Sequence, residues 1–135
     1  MSKFKLAIIG ATGTALKRTI PVLTDSEICK VVAIQARDIK KLETAAKEFN
    51  IPSYYTDSSE MINSADYDAI FIATPPFMHL DDIKLCLSKQ KPIICEKPLA
   101  RNYEEGLEIS KLLKEHISTP FMVAHHFRHQ KKVLL

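Results

Sequence analysis

The chain has 135 residues, 46% of them hydrophobic, which suits one domain with a substantial buried core and excludes a disordered segment. Its 19 basic and 16 acidic residues leave a net charge of +3, too balanced for a nucleic-acid-binding surface, although a modestly basic face suits a phosphorylated ligand. No apolar run approaches the roughly 18 residues of a membrane span or the roughly 7 of a signal-peptide core, so a cytoplasmic protein without membrane attachment is expected. Cys29, Cys86 and Cys95 are odd in number and contain no C-x-x-C pair, which predicts reduced thiols rather than a disulfide framework or a structural zinc site.

In chain order, Leu6 to Ile9 is an apolar run too short for a helix, and it stops at Gly10, as a buried strand entering a tight turn does. Two of the three glycines in the chain, Gly10 and Gly13, lie in this turn, where the backbone needs positive φ or close approach to a ligand. After Ala15 the spacing of LKRTIPVL is helical, which completes the strand, glycine turn and helix of a dinucleotide-binding entry. Against G-x-G-x-x-G the chain offers Gly10, Thr12 and Ala15. Alanine at the third place still permits close helix-strand packing, whereas Thr12 puts a side chain where a pyrophosphate would come nearest the backbone, a crowding that Gly13 relieves. A strand-turn-helix without any ligand is the alternative.

Lys30 to Ala36 is predicted as the second strand, and Asp38 as the cap of a helix whose Ile39, Leu42, Ala46 and Phe49 share one face. Pro52 to Thr56 predicts a short strand and Asp57 or Ser58 a small helix. Ala69 to Ala73 is another apolar strand, ended by Thr74-Pro75-Pro76 and followed by a helix over HLDDIKLCLSKQ. Pro92 to Cys95 predicts a fifth strand, ended by Glu96-Lys97-Pro98. Asn102 and Glu105 form a capping box for a helix reaching about His116, and Pro120 to Ala124 is a sixth strand. Strands that are apolar throughout and alternate with helices imply a doubly wound parallel sheet covered on both faces, an α/β Rossmann architecture. The closing HHFRHQKKVLL looks like the start of another helix.

In such a sheet ligands bind outside the carboxyl ends of the strands, so the residues just after each apolar run carry the chemistry. At the second exit Ala36 cannot hold a ribose hydroxyl, whereas Arg37 offers a fork of donors matched to a 2′-phosphate. This favours NADP, with NAD as the alternative; Lys40 and Lys41 assist, or all three charges are simply solvated. After the fourth strand, Thr74-Pro75-Pro76 makes a stiff turn and His79 is expected either to hydrogen-bond it or to reach the ligand. After the fifth, Glu96-Lys97-Pro98 puts two charges at a buried strand end, where burial would lower the Lys97 pKa toward the working range of a proton donor. His125 and His129 form an i, i+4 pair, but a strand ends beside them and no carboxylate is near in sequence, so no metal site is assigned.

The series IIGATGTA, VVAIQARD, AIFIATPPFMH, KPIICEKPLA and HHFRH resembles the N-terminal domain of the Gfo/Idh/MocA oxidoreductases, over essentially the whole chain. The resemblance implies that Gly10, Thr12, Gly13, Thr14 and Ala15 bind the pyrophosphate and Arg37 the adenosine 2′-phosphate. It also implies that Thr74 and Pro75, with His79 behind them, lie along the cofactor, that Glu96 lines it and that Lys97 is the catalytic lysine. Lys97-Pro98 is then expected to be a cis peptide, and Arg128 to close over the nicotinamide end. Members of the family carry a second α/β domain that supplies the substrate wall. The expected organisation is therefore a nucleotide-binding domain over 1–124 and, over 125–135, the start of a connection to that domain. The expected activity of the full-length protein is NADP-dependent hydride transfer on a sugar, polyol or related hydroxyl or carbonyl substrate, in a homo-oligomer. The 135 residues alone are expected to bind cofactor without turnover. A non-catalytic NAD(P)-sensing module is the competing reading.

Overall fold

The computed structural model describes residues 2–130. It contains the strands β1 (Phe4–Ile9), β2 (Cys29–Gln35), β3 (Ser53–Tyr55), β4 (Ala69–Ile72), β5 (Ile93–Cys95) and β6 (Phe121–Val123). Between them lie α1 (Ile20–Thr24), α2 (Ile39–Glu48), α3 (Ser58–Ser64), α4 (His79–Leu87) and α5 (Tyr103–Glu115). All six strands pair in parallel, in the order β3-β2-β1-β4-β5-β6. The chain therefore winds outward from β1 to β3, returns through α3 to β4 beside β1, and winds outward the other way.

Right-handed crossovers put the helices of the two halves on opposite faces of the sheet. On one face α1 and α2 bury Ile20, Leu42 and Ala45 against Ile8 and Ile34. On the other, α3, α4 and α5 bury Met61, Ile83 and Ile109 against Ile9, Ile70 and Ile72. Successive residues of a strand face opposite sides, so Ile8 and Ile9 belong to different cores, and a run apolar at every position is what a doubly covered sheet requires. Cys86 and Cys95 lie inside the second core as free thiols, pushed up to about 12 chiefly by burial.

Several local details differ from the sequence expectation. The helix after the glycine turn opens with a π-helical turn over Ala15–Thr19, in which the Ile20 N–H bonds the Ala15 carbonyl. Pro21 accounts for it: proline has no N–H, and its ring displaces the carbonyl one turn back, so the helix widens just before it. The helix after β4 begins at His79 as expected, behind a 3₁₀ turn over Pro76–Met78, but ends at Leu87, short of the Gln90 expected. Asn102 caps α5 by accepting the Glu105 N–H, but the Glu105 carboxylate reaches back one residue further than a capping box, to the Arg101 N–H at 3.0 Å. The expected helix after β6 is a 3₁₀ turn over His126–His129, and its continuation over 131–135 lies outside the described residues. No helix of the described residues is long and apolar enough to cross a membrane.

Candidate functional site

Because every strand runs the same way, the exits of β1, β2, β4, β5 and β6 share one rim of the sheet. Gly10 to Ala15, Arg37, Thr74-Pro75, Glu96-Lys97 and Arg128 follow those exits directly, with the reversal of winding between β1 and β4 at the centre. That crevice is where a doubly wound sheet accepts ligands.

The β1 exit is the most tightly built. Gly10 has φ +83°, and a Cβ there would lie 2.7 Å from the Thr74 nitrogen and 2.8 Å from its methyl carbon. The Gly10 and Ala11 N–H groups donate to the Gln35 carbonyl at 3.0 and 2.8 Å. The Gln35 side chain, 9% exposed, accepts from Gly10 N at 3.3 Å and donates to the Thr56 carbonyl at 3.1 Å, tying the glycine turn to the exits of β2 and β3. Sequence reasoning missed this residue, although an amide ending an otherwise apolar strand was the available signal. Thr12 is exposed, and the turn closes through Thr12 N–H to the Gly10 carbonyl at 2.7 Å and Ala15 N–H to the Thr12 carbonyl at 2.9 Å. Gly13 has φ +46° with nothing within 4 Å of where a Cβ would stand. No side chain caps the helix at Thr14. The Ala15 and Leu16 N–H groups both turn to the Thr12 carbonyl, at 2.9 and 3.4 Å, so backbone rather than a side chain closes the start of that helix.

Two concavities flank this turn. One, of about 980 Å³, is lined among others by Gly13, Leu16, Lys17, Asp38, Lys40 and Lys41. Arg37 is exposed, one residue before Asp38. The Asp38 carboxylate caps α2 through the N–H groups of Lys40 and Lys41, at 3.1 and 3.2 Å, and lies 3.6 Å from the Lys41 amine. The Lys41 N–H above all holds Asp38 below the usual carboxylate range. The other concavity, of about 450 Å³, brings Thr14, Arg18 and Glu96 together with His125, His126 and His129.

At the exit of β4 the structure shows the first of the two roles expected for His79, a hydrogen bond to the turn. Thr74 is 7% exposed and its hydroxyl donates to Asp82 at 2.6 Å, so that hydroxyl is engaged from behind the loop. His79, grouped by sequence with the residues along the cofactor, is 0% exposed. Its Nε2 lies 2.7 Å from the Thr74 carbonyl and its Nδ1 3.2 Å from the Leu99 carbonyl, so it supports the rim instead of lining it. Burial raises Asp82 above the usual carboxylate range, against the Thr74 hydroxyl bond and the nearby His79, which lower it.

At the exit of β5, Glu96 is half-buried and accepts the Lys97 N–H at 3.0 Å, and Lys97-Pro98 is cis. Lys97 is exposed, and the burial expected for it does not occur. Arg128 is exposed too, on the turn after β6, its N–H bonded to the His125 carbonyl at 3.0 Å.

Residues 4–125 match a family model described as an oxidoreductase family with an NAD-binding Rossmann fold. Among curated proteins, the chain is 39% identical over 80 residues to trans-1,2-dihydrobenzene-1,2-diol dehydrogenase of Xenopus tropicalis, covering 59% of this chain and 24% of that protein. Among solved structures it superposes on myo-inositol 2-dehydrogenase from Lactobacillus plantarum with a TM-score of 0.87 and 29% identity, covering 96% of this chain and 38% of that one. An oxidoreductase from Agrobacterium radiobacter, solved in complex with NAD+, L-tartaric acid and magnesium, gives 0.86 at 26% identity, covering 96% of this chain and 37% of that one. The chain thus spans well under half the length of these relatives. Its rim geometry, its strand order and the family match agree: this chain belongs to the Gfo/Idh/MocA oxidoreductases, as their NAD-binding Rossmann domain.

Proposed function

We propose that the chain holds NADP across the carboxyl rim, as the cofactor domain of an enzyme that oxidises or reduces a sugar, polyol or related hydroxyl or carbonyl compound. The observation that carries the reading is Gly13: at positive φ, with open space where a side chain would stand, it borders a concavity whose edge carries Lys17, Lys40 and Lys41. In this reading Gly10, Thr12, Gly13, Thr14 and Ala15 receive the pyrophosphate at a helix N-terminus. Arg37, with Lys40 and Lys41, meets the 2′-phosphate, a dianion that a guanidinium fork matches and a plain ribose does not offer. Thr74 and Pro75 present their backbone along the dinucleotide, Glu96 lines its nicotinamide half, and Arg128 closes over that end.

When bound, the nicotinamide supplies the hydride chemistry. Lys97 exchanges the proton of the substrate hydroxyl, and its exposure in this chain accords with a substrate wall contributed from outside residues 1–124. In this reading the connection to that wall starts at residue 125, and the nucleotide-binding domain by itself holds nucleotide without turnover.

Titrating the chain with NADPH and NADH tests the cofactor assignment. NADPH is expected to bind more tightly, and Arg37→Ala to weaken it about tenfold or more, as loss of a charge-assisted contact does, with little change for NADH. Tighter NADH binding overturns the role of Arg37. In a protein containing the substrate wall, Lys97→Ala should abolish turnover while nucleotide binding persists; unchanged turnover overturns the role of Lys97.

A further inference from the structure

Beyond the last ladder bond between β4 and β5, from Glu96 N–H to the Ile72 carbonyl at 2.9 Å, the two strand exits separate. Among the described residues one side chain bonds both of them past that point. His79, at the first position of α4 and wholly buried, points Nε2 at the Thr74 carbonyl, 2.7 Å away, and Nδ1 at the Leu99 carbonyl, 3.2 Å away. A carbonyl oxygen only accepts. A neutral imidazole has one N–H and satisfies one such oxygen, whereas a doubly protonated ring satisfies both. Asp82, also buried and on the same face three residues along α4, is the negative group beside the ring, and Glu105 of α5 is a second acidic group within reach of its charge. Asp82 in turn holds the Thr74 hydroxyl, so Thr74 is gripped by its carbonyl and its side chain from one helix turn.

We propose that His79 is a positioning residue, held between the Thr74 and Leu99 carbonyls, that staples the nucleotide-side segment at Thr74-Pro75 to the segment carrying Lys97, so that the two move as one body. The functional weight of the staple rests on the cofactor reading above, but the staple itself is a property of the free chain. Leu99 is two residues beyond Lys97. Fixing its carbonyl to the carbonyl of Thr74 sets where the lysine backbone stands relative to the β4 exit, a distance on which proton exchange beside a bound nicotinamide depends steeply.

The experiment uses nitrogen-15 spectra of the intact 135-residue chain, with NADPH as the nucleotide probe. At neutral pH both ring nitrogens of His79 are expected to carry protons; a single N–H overturns the two-ended staple, and this arm needs no variant. Pro75→Ala, a change at the exposed β4 exit, is expected to shift the Leu99 and Ala100 amides. That response should be lost with His79→Gln, whose amide nitrogen replaces Nε2 alone, and with His79→Asn, which replaces Nδ1 alone. A response absent from the parent chain, or surviving in both variants, overturns the proposal. NADPH should likewise move the Thr74 and Leu99 amides together in the parent chain and the Thr74 amide alone in the variants. If NADPH moves no rim amide while Pro75→Ala still reaches Leu99 through His79, the cofactor reading fails and the staple stands.

Discussion

Gly10 and Gly13 sit three residues apart in one turn, both at positive φ, yet for different reasons. Gly10 faces the backbone of the β4 exit, where an added carbon would stand 2.7 Å from one atom and 2.8 and 2.9 Å from two others. Gly10→Ala combines the left-handed penalty with overpacking against an element that cannot yield, a loss of roughly 2–4 kcal/mol. Gly13→Ala meets no atom and bears the left-handed penalty alone, about 1 kcal/mol. Its methyl group would occupy the edge of the concavity, however. Urea melts and nucleotide titration should therefore separate the two: Gly10→Ala lowers the folding midpoint severely, whereas Gly13→Ala lowers it slightly and weakens nucleotide binding more than it weakens the fold.

The elements are held mainly by apolar faces, with short polar side chains deciding where each helix starts. Asp38, Asp57 and Asn102 each sit in extended backbone and accept N–H groups of the first turn. Asn102→Ala should cost about 1 kcal/mol, seen as a lower urea midpoint with unchanged slope. Because α5 lies across the sheet from the glycine turn and covers β5 and β6, that loss should leave nucleotide affinity per folded molecule unaltered. The helix at the glycine turn has no such cap at Thr14, which sets it apart from α2, α3 and α5. Where α2, α3 and α5 use a side chain at the cap, this one starts on the Thr12 carbonyl, which accepts from Ala15 and Leu16 and keeps side chains away from the turn.

For the whole molecule, acid behaviour separates two kinds of carboxylate. Asp38, Asp66 and Glu105 are held below their ordinary values by hydrogen bonds from Lys41, Lys5 and Arg101 respectively, so the stability they lend is present above the usual carboxylate range and lost as the pH falls. Asp82 behaves in the opposite sense. Burial raises it, so the folded state binds its proton more tightly than the unfolded chain does, and its contribution declines as the pH climbs from the ordinary carboxylate range through its raised value. Comparing urea melts of the parent chain with Asp82→Asn across acid pH isolates this group. The parent chain should lose stability relative to the variant over that window, and a constant difference between the two would refute the raised value.

Much of this architecture is written locally. Leu6 to Ile9, Ala69 to Ile72 and Ile93 to Cys95 are apolar at every position, which only a doubly covered strand tolerates, and their alternation with capped helices implies a parallel sheet whose exits share a rim. The spacing of Gly10 and Gly13 likewise marked the turn, because positive φ restricts residue choice wherever the turn ends up in space. The π turn at Ala15–Thr19 was also written locally, in Pro21, though helical spacing by itself does not reveal it. Only the tertiary structure decided what the buried polar side chains do. That Gln35 braces Gly10, that Asp82 takes the Thr74 hydroxyl and that His79 stands between two carbonyls depend on which strand exits lie side by side. The partners of a buried donor or acceptor are brought to it by the packing of distant segments, and a one-dimensional pattern carries no record of that distance.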